Sequence, residues 1–449
     1  MRALVFAACF VFAVAWGADG DVDRSFGTDG NVVFAPADAS TSAFAVAVAE
    51  DGRIVIGGWH WAFTESGMPY QAVVWRLLAN GAPDLSFGNE GMVVIPTPAG
   101  SPVLPAIWSI LPLHDGSLLA AGNVGGFGVA HLLADGQLDA TFGAGGVVKV
   151  AFDDLGGDYA TAFAIARDGD DRILLAGSGS GVTGSAVGVV ARLSADGILD
   201  AQFASAGRFV LGAGGLPLPQ AAIILGIASD ASDRVWLSGR GEFAPYSGYS
   251  ALAMRLLADG TPDPAFGSAG LVSANRHAGS DDNIAAGVLR DGHWTIGGIC
   301  DPVGGPDPAF CLLRIDADGQ LDTGFGDAGW VSVPLGQTIV LRNSALACGA
   351  DGRCVLLGSA RDPATSRRQF VVLRVGADGT PDSTFGDSGL ARVAVPANVD
   401  GSHIIARAIA VQDGRPIPVG TTDGVPYVSA LYATRLASNA IFDDGFEAR

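Results

Sequence analysis

The sequence predicts an all-β protein, a seven-bladed β-propeller of four-stranded antiparallel blades closed by its N-terminal strand. Three observations predict it. The motif Asp-x-x-Phe-Gly-x-x-Gly recurs in seven close copies, with phenylalanines at Phe26, Phe87, Phe142, Phe203, Phe266, Phe325 and Phe385, so units repeat about every sixty residues. Each interval holds four short apolar runs separated by Gly-containing turns. The chain opens with the last strand of one unit and ends with the first three strands of another.

The first complete unit shows the four strands in order. Ala43-Phe44-Ala45-Val46-Ala47-Val48 is a strand, Asp51-Gly52 a turn, and Arg53-Ile54-Val55-Ile56-Gly57-Gly58 the returning strand. An Asp-Gly pair between apolar runs signals a hairpin whose two turn positions both take positive φ. After a variable loop, Ala72 to Leu78 form the third strand, Asn80-Gly81 the next turn, and Met92 to Ile95 the fourth strand, which follows the Asp84–Gly91 motif. Such a sheet cannot bury two apolar faces alone, and stacking seven copies round an axis buries both. Asn31-Val32-Val33-Phe34 supplies the missing fourth strand of the final unit, while Asp443-Asp444-Gly445-Phe446 is a further copy in phase that competes for the same slot.

Composition bounds the partners. The charged fraction is 16%, the formal net charge is −20, and Lys149 is the single lysine, so no basic stripe exists to neutralise phosphates. Nucleic acid and anionic membrane surfaces are therefore poor partner candidates, and no nucleic-acid partner is expected. Residues 1–18 have one early Arg2, an apolar run and small residues Gly17 and Ala18, the order of a secretory signal peptide. The remainder, 19–449, reads as a single propeller domain without a membrane span, exported to the periplasm or the exterior. Four further cysteines fall in neighbouring strands, and the repeat geometry pairs Cys300 with Cys311 and Cys348 with Cys354. Their spacing lacks the paired knuckles of a zinc site, so no metal and no cofactor is expected.

The units, for example Arg374-Val-Gly-Ala-Asp-Gly-Thr-Pro-Asp-Ser-Thr-Phe385-Gly, resemble the delta-60 repeat of bacterial exported proteins. That resemblance spans residues 20–449 and implies a β-propeller-like domain of unknown function, with no catalytic residue to carry over. Ala204 stands where the motif has glycine, and His131 where the other units have arginine. The recurring residues read as structural: Phe as the wedge between blades, the Gly four positions on as a turn, the Asp three before as a turn acceptor, and the Arg eleven before as an inter-strand pair.

Function is sought where the repeat breaks. No H-E-x-x-H, G-x-S-x-G or P-loop sequence is present. Trp59-His60-Trp61 and Tyr70 flank the loop between second and third strands, and His277 and His403 fall in the connections leading into blades. Tryptophans beside a histidine suit stacking on a sugar or aromatic ligand. The sequence therefore leads to the expectation of a non-enzymatic scaffold that binds a protein or glycan of the cell envelope. The alternative is a hydrolase or lyase whose histidines and acidic neighbours meet over the central channel.

Overall fold

The computed structural model describes residues 18–438 apart from the segments 35–38, 63–69, 98–103, 153–154, 156–159, 182–183, 213–220, 244–247, 277–280, 302–307, 336–338, 396–402 and 424–428. Among the described residues twenty-eight strands, β1 to β28, form seven four-stranded antiparallel sheets, with no α-helix. Blade 1 is β2 (Ala39–Val48), β3 (Ile54–Ala62), β4 (Tyr70–Leu77) and β5 (Met92–Ile95), in that order across the sheet. Blades 2 to 6 repeat it. Each first strand packs on the first strands of both neighbouring blades, from β2 round to β26 (His403–Gln412) and back, which closes the ring.

The N-terminal strand completes the last blade. β1 (Asn31–Phe34) pairs antiparallel with β28 (Ser429–Thr434), Asn31 opposite Thr434 and Phe34 opposite Leu431, beside β27 (Arg415–Asp423) and β26. Upstream, Gly20 N–H donates to the Ala437 carbonyl at 2.9 Å, and the Asp19 carboxylate makes a two-point pair with Arg374 at 2.6 and 3.1 Å. The two ends of the chain are thus fastened by backbone ladder and buried charge together. The competing Phe446 copy and the segment 1–17 lie outside the described residues.

The repeat residues form one clamp per blade. Arg76, Arg192, Arg255, Arg314, Arg374 and Arg435 each donate from Nε to the motif aspartate at 2.7–2.9 Å. Each guanidinium also lies 4.2–4.9 Å over the centroid of its motif phenylalanine. Five reach across to a backbone carbonyl of the next blade, that of Ala134, Ala258, Ala317, Ala377 or Ala79. At the sixth, Arg374, Asp19 and the Ser438 hydroxyl take that place. All seven motif phenylalanines are at most 1% exposed, as a wedge between blades requires. His131 keeps the pattern with Nδ1 3.0 Å from Asp139 and Nε2 3.1 Å from the Ser117 hydroxyl.

One expectation about the turns is corrected. At Asp51-Gly52 only Gly52 has positive φ (80°); Gly52 N–H donates to Ala49 O, and Ala49 N–H to Arg53 O. This is a type I turn followed by a left-handed glycine bulge, stabilised by Asp51 Oδ1 accepting from Arg53 N–H at 2.9 Å. Asp291-Gly292 and Asp413-Gly414 do have both residues at positive φ. The carboxylate that caps its own turn makes the longer form as good a hairpin as the two-residue form.

Both disulfides form as expected, Cys300–Cys311 between β19 (His293–Asp301) and β20 (Ala309–Ile315), and Cys348–Cys354 between opposed residues of β22 (Ile339–Cys348) and β23 (Cys354–Arg361). They suit a compartment outside the reducing cytoplasm. No helix among the described residues is long and apolar enough to cross a membrane.

Candidate functional site

The first strand of each blade carries a β-bulge. In β2 the pairing with β3 skips Phe44; in β6 (Ala106–Pro112) it skips Trp108; in β10 (Thr161–Arg167), Phe163; in β14 (Ala221–Ser229), Leu225; in β18 (Asp281–Arg290), Ala285; and in β26, Arg407. In β22 the irregularity spans Leu341 to Ala345. A bulge breaks the alternation of the strand and re-aims the extra side chain. Here the consequence is visible in burial. Ala43 and Ala45, Ala162 and Ala164, and Ala406 and Ala408 are buried, while the residues between them, Phe44, Phe163 and Arg407, keep part of their surface open.

These side chains meet in the central channel. A cavity of about 500 Å³ is lined from all seven first strands and includes Phe44, Trp108, Phe163, Leu225 and Arg407, together with Arg240 from β15 (Val235–Glu242). That volume is in the range of a small-molecule site. Phe44 stacks on Trp108 with centroids 4.0 Å apart and planes 16° from parallel, and Phe163 meets Trp108 edge-on at 5.3 Å. The Arg407 guanidinium lies 4.9 Å over Phe44. Bulge residues of four consecutive blades thus form one arc, cation first and three aromatic rings after it. Arg240, three blades away, lies 4.7 Å over the Tyr249 ring.

A slightly larger cavity of about 570 Å³ opens at the closing seam, between β1 and the Trp75, Leu77 and Asn80–Pro83 stretch. Its lining consists largely of the motif turns of blades 7 and 1, including Gly81, Glu90 and Gly91. It is a consequence of the seam, and its Arg76 is already committed to Asp84. The channel is the stronger candidate because its aromatic groups converge and belong to no structural motif.

The residues singled out from the sequence are distributed otherwise. Trp59 is half-buried and meets the Tyr70 ring edge-on at 5.2 Å, while Trp61 is buried, 9% exposed. The His60 Nδ1 is buried without a hydrogen-bond partner, and that desolvation lowers its pKa below the usual imidazole value. None of these four lines the channel cavity. His277 lies outside the described residues. His403 is the first residue of β26, opposite Asp423, and Asp281 and Asp282 begin β18, so their backbone lies at the same end of the first strands, on the side where the chain enters each blade. No cluster of three or more metal-ligating residues occurs among the described residues.

Sequence reasoning missed the channel arc, though a signal was present. Arg407 is a charge between Ala406 and Ala408 in an apolar run, and at the same phase four of the other six units carry Phe44, Trp108, Phe163 and Leu225.

The chain is similar in fold to several solved structures. A protein of unknown function from Dyadobacter fermentans is 12% identical, with TM-score 0.46 and coverage of 91% of this chain and 98% of that one. A catalytically inactive virginiamycin B lyase from Staphylococcus aureus, solved with quinupristin, is 11% identical, with TM-score 0.48 and coverage of 90% and 98%. An α-L-arabinofuranosidase from Fusarium graminearum, bound to an iminosugar inhibitor, is 9% identical, with TM-score 0.45 and coverage of 93% and 99%. The expectation of a non-enzymatic scaffold is corrected here: the solved structures of similar fold include a lyase and a glycosidase. No curated protein matches the chain in sequence. Residues 49–87, 114–142, 169–203 and 289–325 match the family model described as a domain of unknown function (DUF5122) beta-propeller, and with the observed fold this supports a β-propeller family of unknown function.

Proposed function

We propose that this protein is an exported propeller enzyme, a hydrolase or lyase, that acts on a ring-bearing substrate such as a glycan at the central channel. The observation that carries the reading is the arc of Phe44, Trp108 and Phe163, three rings turned into the channel by bulges. Aromatic faces stack on the C–H faces of sugars and on planar rings, and an enclosed seat holds such a ring in one orientation. Acid–base chemistry needs titratable groups beside that seat. Asp281, Asp282 and His403, of suitable residue types, begin first strands at the channel's rim. The two disulfides and the signal-like residues 1–18 favour action outside the cytoplasm.

The experiment is a turnover screen of the purified protein against plant and bacterial polysaccharides, reading new reducing ends for hydrolysis and ultraviolet-absorbing unsaturated ends for elimination. Trp108→Ala and His403→Ala are expected to lose turnover at least tenfold while Trp59→Ala retains it. Turnover that survives Trp108→Ala and falls with Trp59→Ala would move the site to the β3–β4 loop and overturn the reading.

A further inference from the structure

We infer that the cavity at the closing seam is a second binding site, for a small apolar molecule that carries one carbonyl-type hydrogen-bond acceptor. Its volume of about 570 Å³ is in the range of a small-molecule site. One wall is β1, through Val32 and Phe34, and the other is blade 1, through Ile56, Trp75 and Leu77. With Leu431 of β28 these side chains belong to one apolar cluster, and an apolar cavity takes an apolar occupant.

Trp75 supplies the polar requirement. It stands immediately before the clamp Arg76, and the residues before the other six clamp positions are Ala130, Ala191, Met254, Leu313, Leu373 and Thr434, none of them aromatic. An indole at that place brings an N–H into an otherwise apolar wall. Trp75 is 4% exposed, and its Nε1 has no hydrogen-bond partner among the described residues. Three other polar residues of the lining are engaged: Arg76 with Asp84, Ser25 with Asp23, and Asn31 with the Tyr432 hydroxyl and the Asp29 carbonyl. A buried donor without an acceptor is a standing free-energy cost, and a ligand oxygen that accepts from it removes that cost. Because β1 forms one wall and blade 1 the other, an occupant also bridges the N-terminal strand to the blade that follows it. Occupancy therefore stabilises the closed ring.

The test is calorimetric titration of the full protein with two probes of one shape. One is 4-tert-butylcyclohexanone, and the other is 4-tert-butyl-1-methylenecyclohexane, which lacks the oxygen. Both are expected to bind and to raise the melting temperature. Trp75→Phe keeps an aromatic ring and removes the N–H, so it is expected to weaken the ketone about fivefold and leave the hydrocarbon within about twofold. Equal weakening of the two probes, or no weakening of the ketone, would overturn the acceptor preference. Absence of binding by both probes to the wild-type protein would overturn the site. Unfolding curves establish that the variant is folded. A crystal of the wild-type protein soaked with the ketone decides independently of it. Ketone density between β1 and Trp75, with its oxygen within hydrogen-bond distance of Nε1, is expected; density elsewhere, or an oxygen turned away from Nε1, would overturn the inference.

Discussion

At Asp84 two opposing effects meet, and their balance is set by named neighbours. Burial alone would raise its carboxyl, but the Ser86 hydroxyl and N–H and the Arg76 guanidinium outweigh it and hold the group below the usual carboxylate range. Asp23, Asp200 and Asp382 are lowered for the same reasons, with burial opposed by turn hydrogen bonds and their arginines. A carboxyl depressed in the folded state contributes stability that is complete above its unfolded value of about 3.9 and is lost as pH falls through the folded value. Denaturant midpoints measured from pH 7 to pH 3 are therefore expected to fall steeply only below about pH 4.5. His60 adds a shallower decline that starts near its unfolded value of about 6.5, because its folded pKa is also depressed and protonation favours the open chain. His60→Gln should remove the shallow part and leave the steep part. A second residue-scale test concerns Ala204, which holds φ +45° where the other six motifs have glycine at φ +52° to +56°. A left-handed alanine costs roughly 1 kcal/mol, so Ala204→Gly is expected to stabilise by about that amount in equilibrium unfolding. These roles were legible in the sequence because each recurs in phase with Phe and Gly. The cross-blade reach of the arginine was not, since a contact between units leaves no local pattern.

The element that closes the ring was legible as well, from the split unit at the two ends. The extra fastening by Asp19 was hidden, because it replaces a backbone carbonyl that other blades supply without regard to side chain. Arg374 is fully buried between Asp19 and Asp382, so removing Asp19 leaves a buried guanidinium short of a partner. Because Asp382 stays on Nε, the loss is that of charge-assisted hydrogen bonds, on the order of 1.5–3 kcal/mol. Asp19→Ala is therefore expected to lower the unfolding midpoint markedly, whereas Asp21→Ala, at an exposed position, should be near neutral. Equal midpoints for the two variants would contradict a closing role for the pair. The first strands show the limit of pattern reading at this scale. A period-two reading assigns each residue of Ala43-Phe44-Ala45 to alternate faces, but one extra residue shifts the phase and turns Phe44 into the channel while both alanines stay buried.

In the whole molecule, seven near-equal blades produce an unequal channel. Blades 7, 1, 2 and 3 contribute Arg407, Phe44, Trp108 and Phe163, and blade 4 contributes Leu225 and Arg240. The ring was readable from what repeats; the site lies where bulge residues differ from blade to blade, and a single sequence cannot distinguish that variation from drift. The bulge residues of the inner strands face the channel, and Trp59 and Tyr70 form an aromatic contact at the base of the β3–β4 loop. If the bulge arc is a ligand seat, a crystal of the protein soaked with oligosaccharides and small aromatic compounds will hold a ring there. Ring density against Phe44, Trp108 and Phe163 is the predicted result. Density confined to the β3–β4 loop or to the closing seam, with the arc unoccupied at saturating ligand, would contradict it.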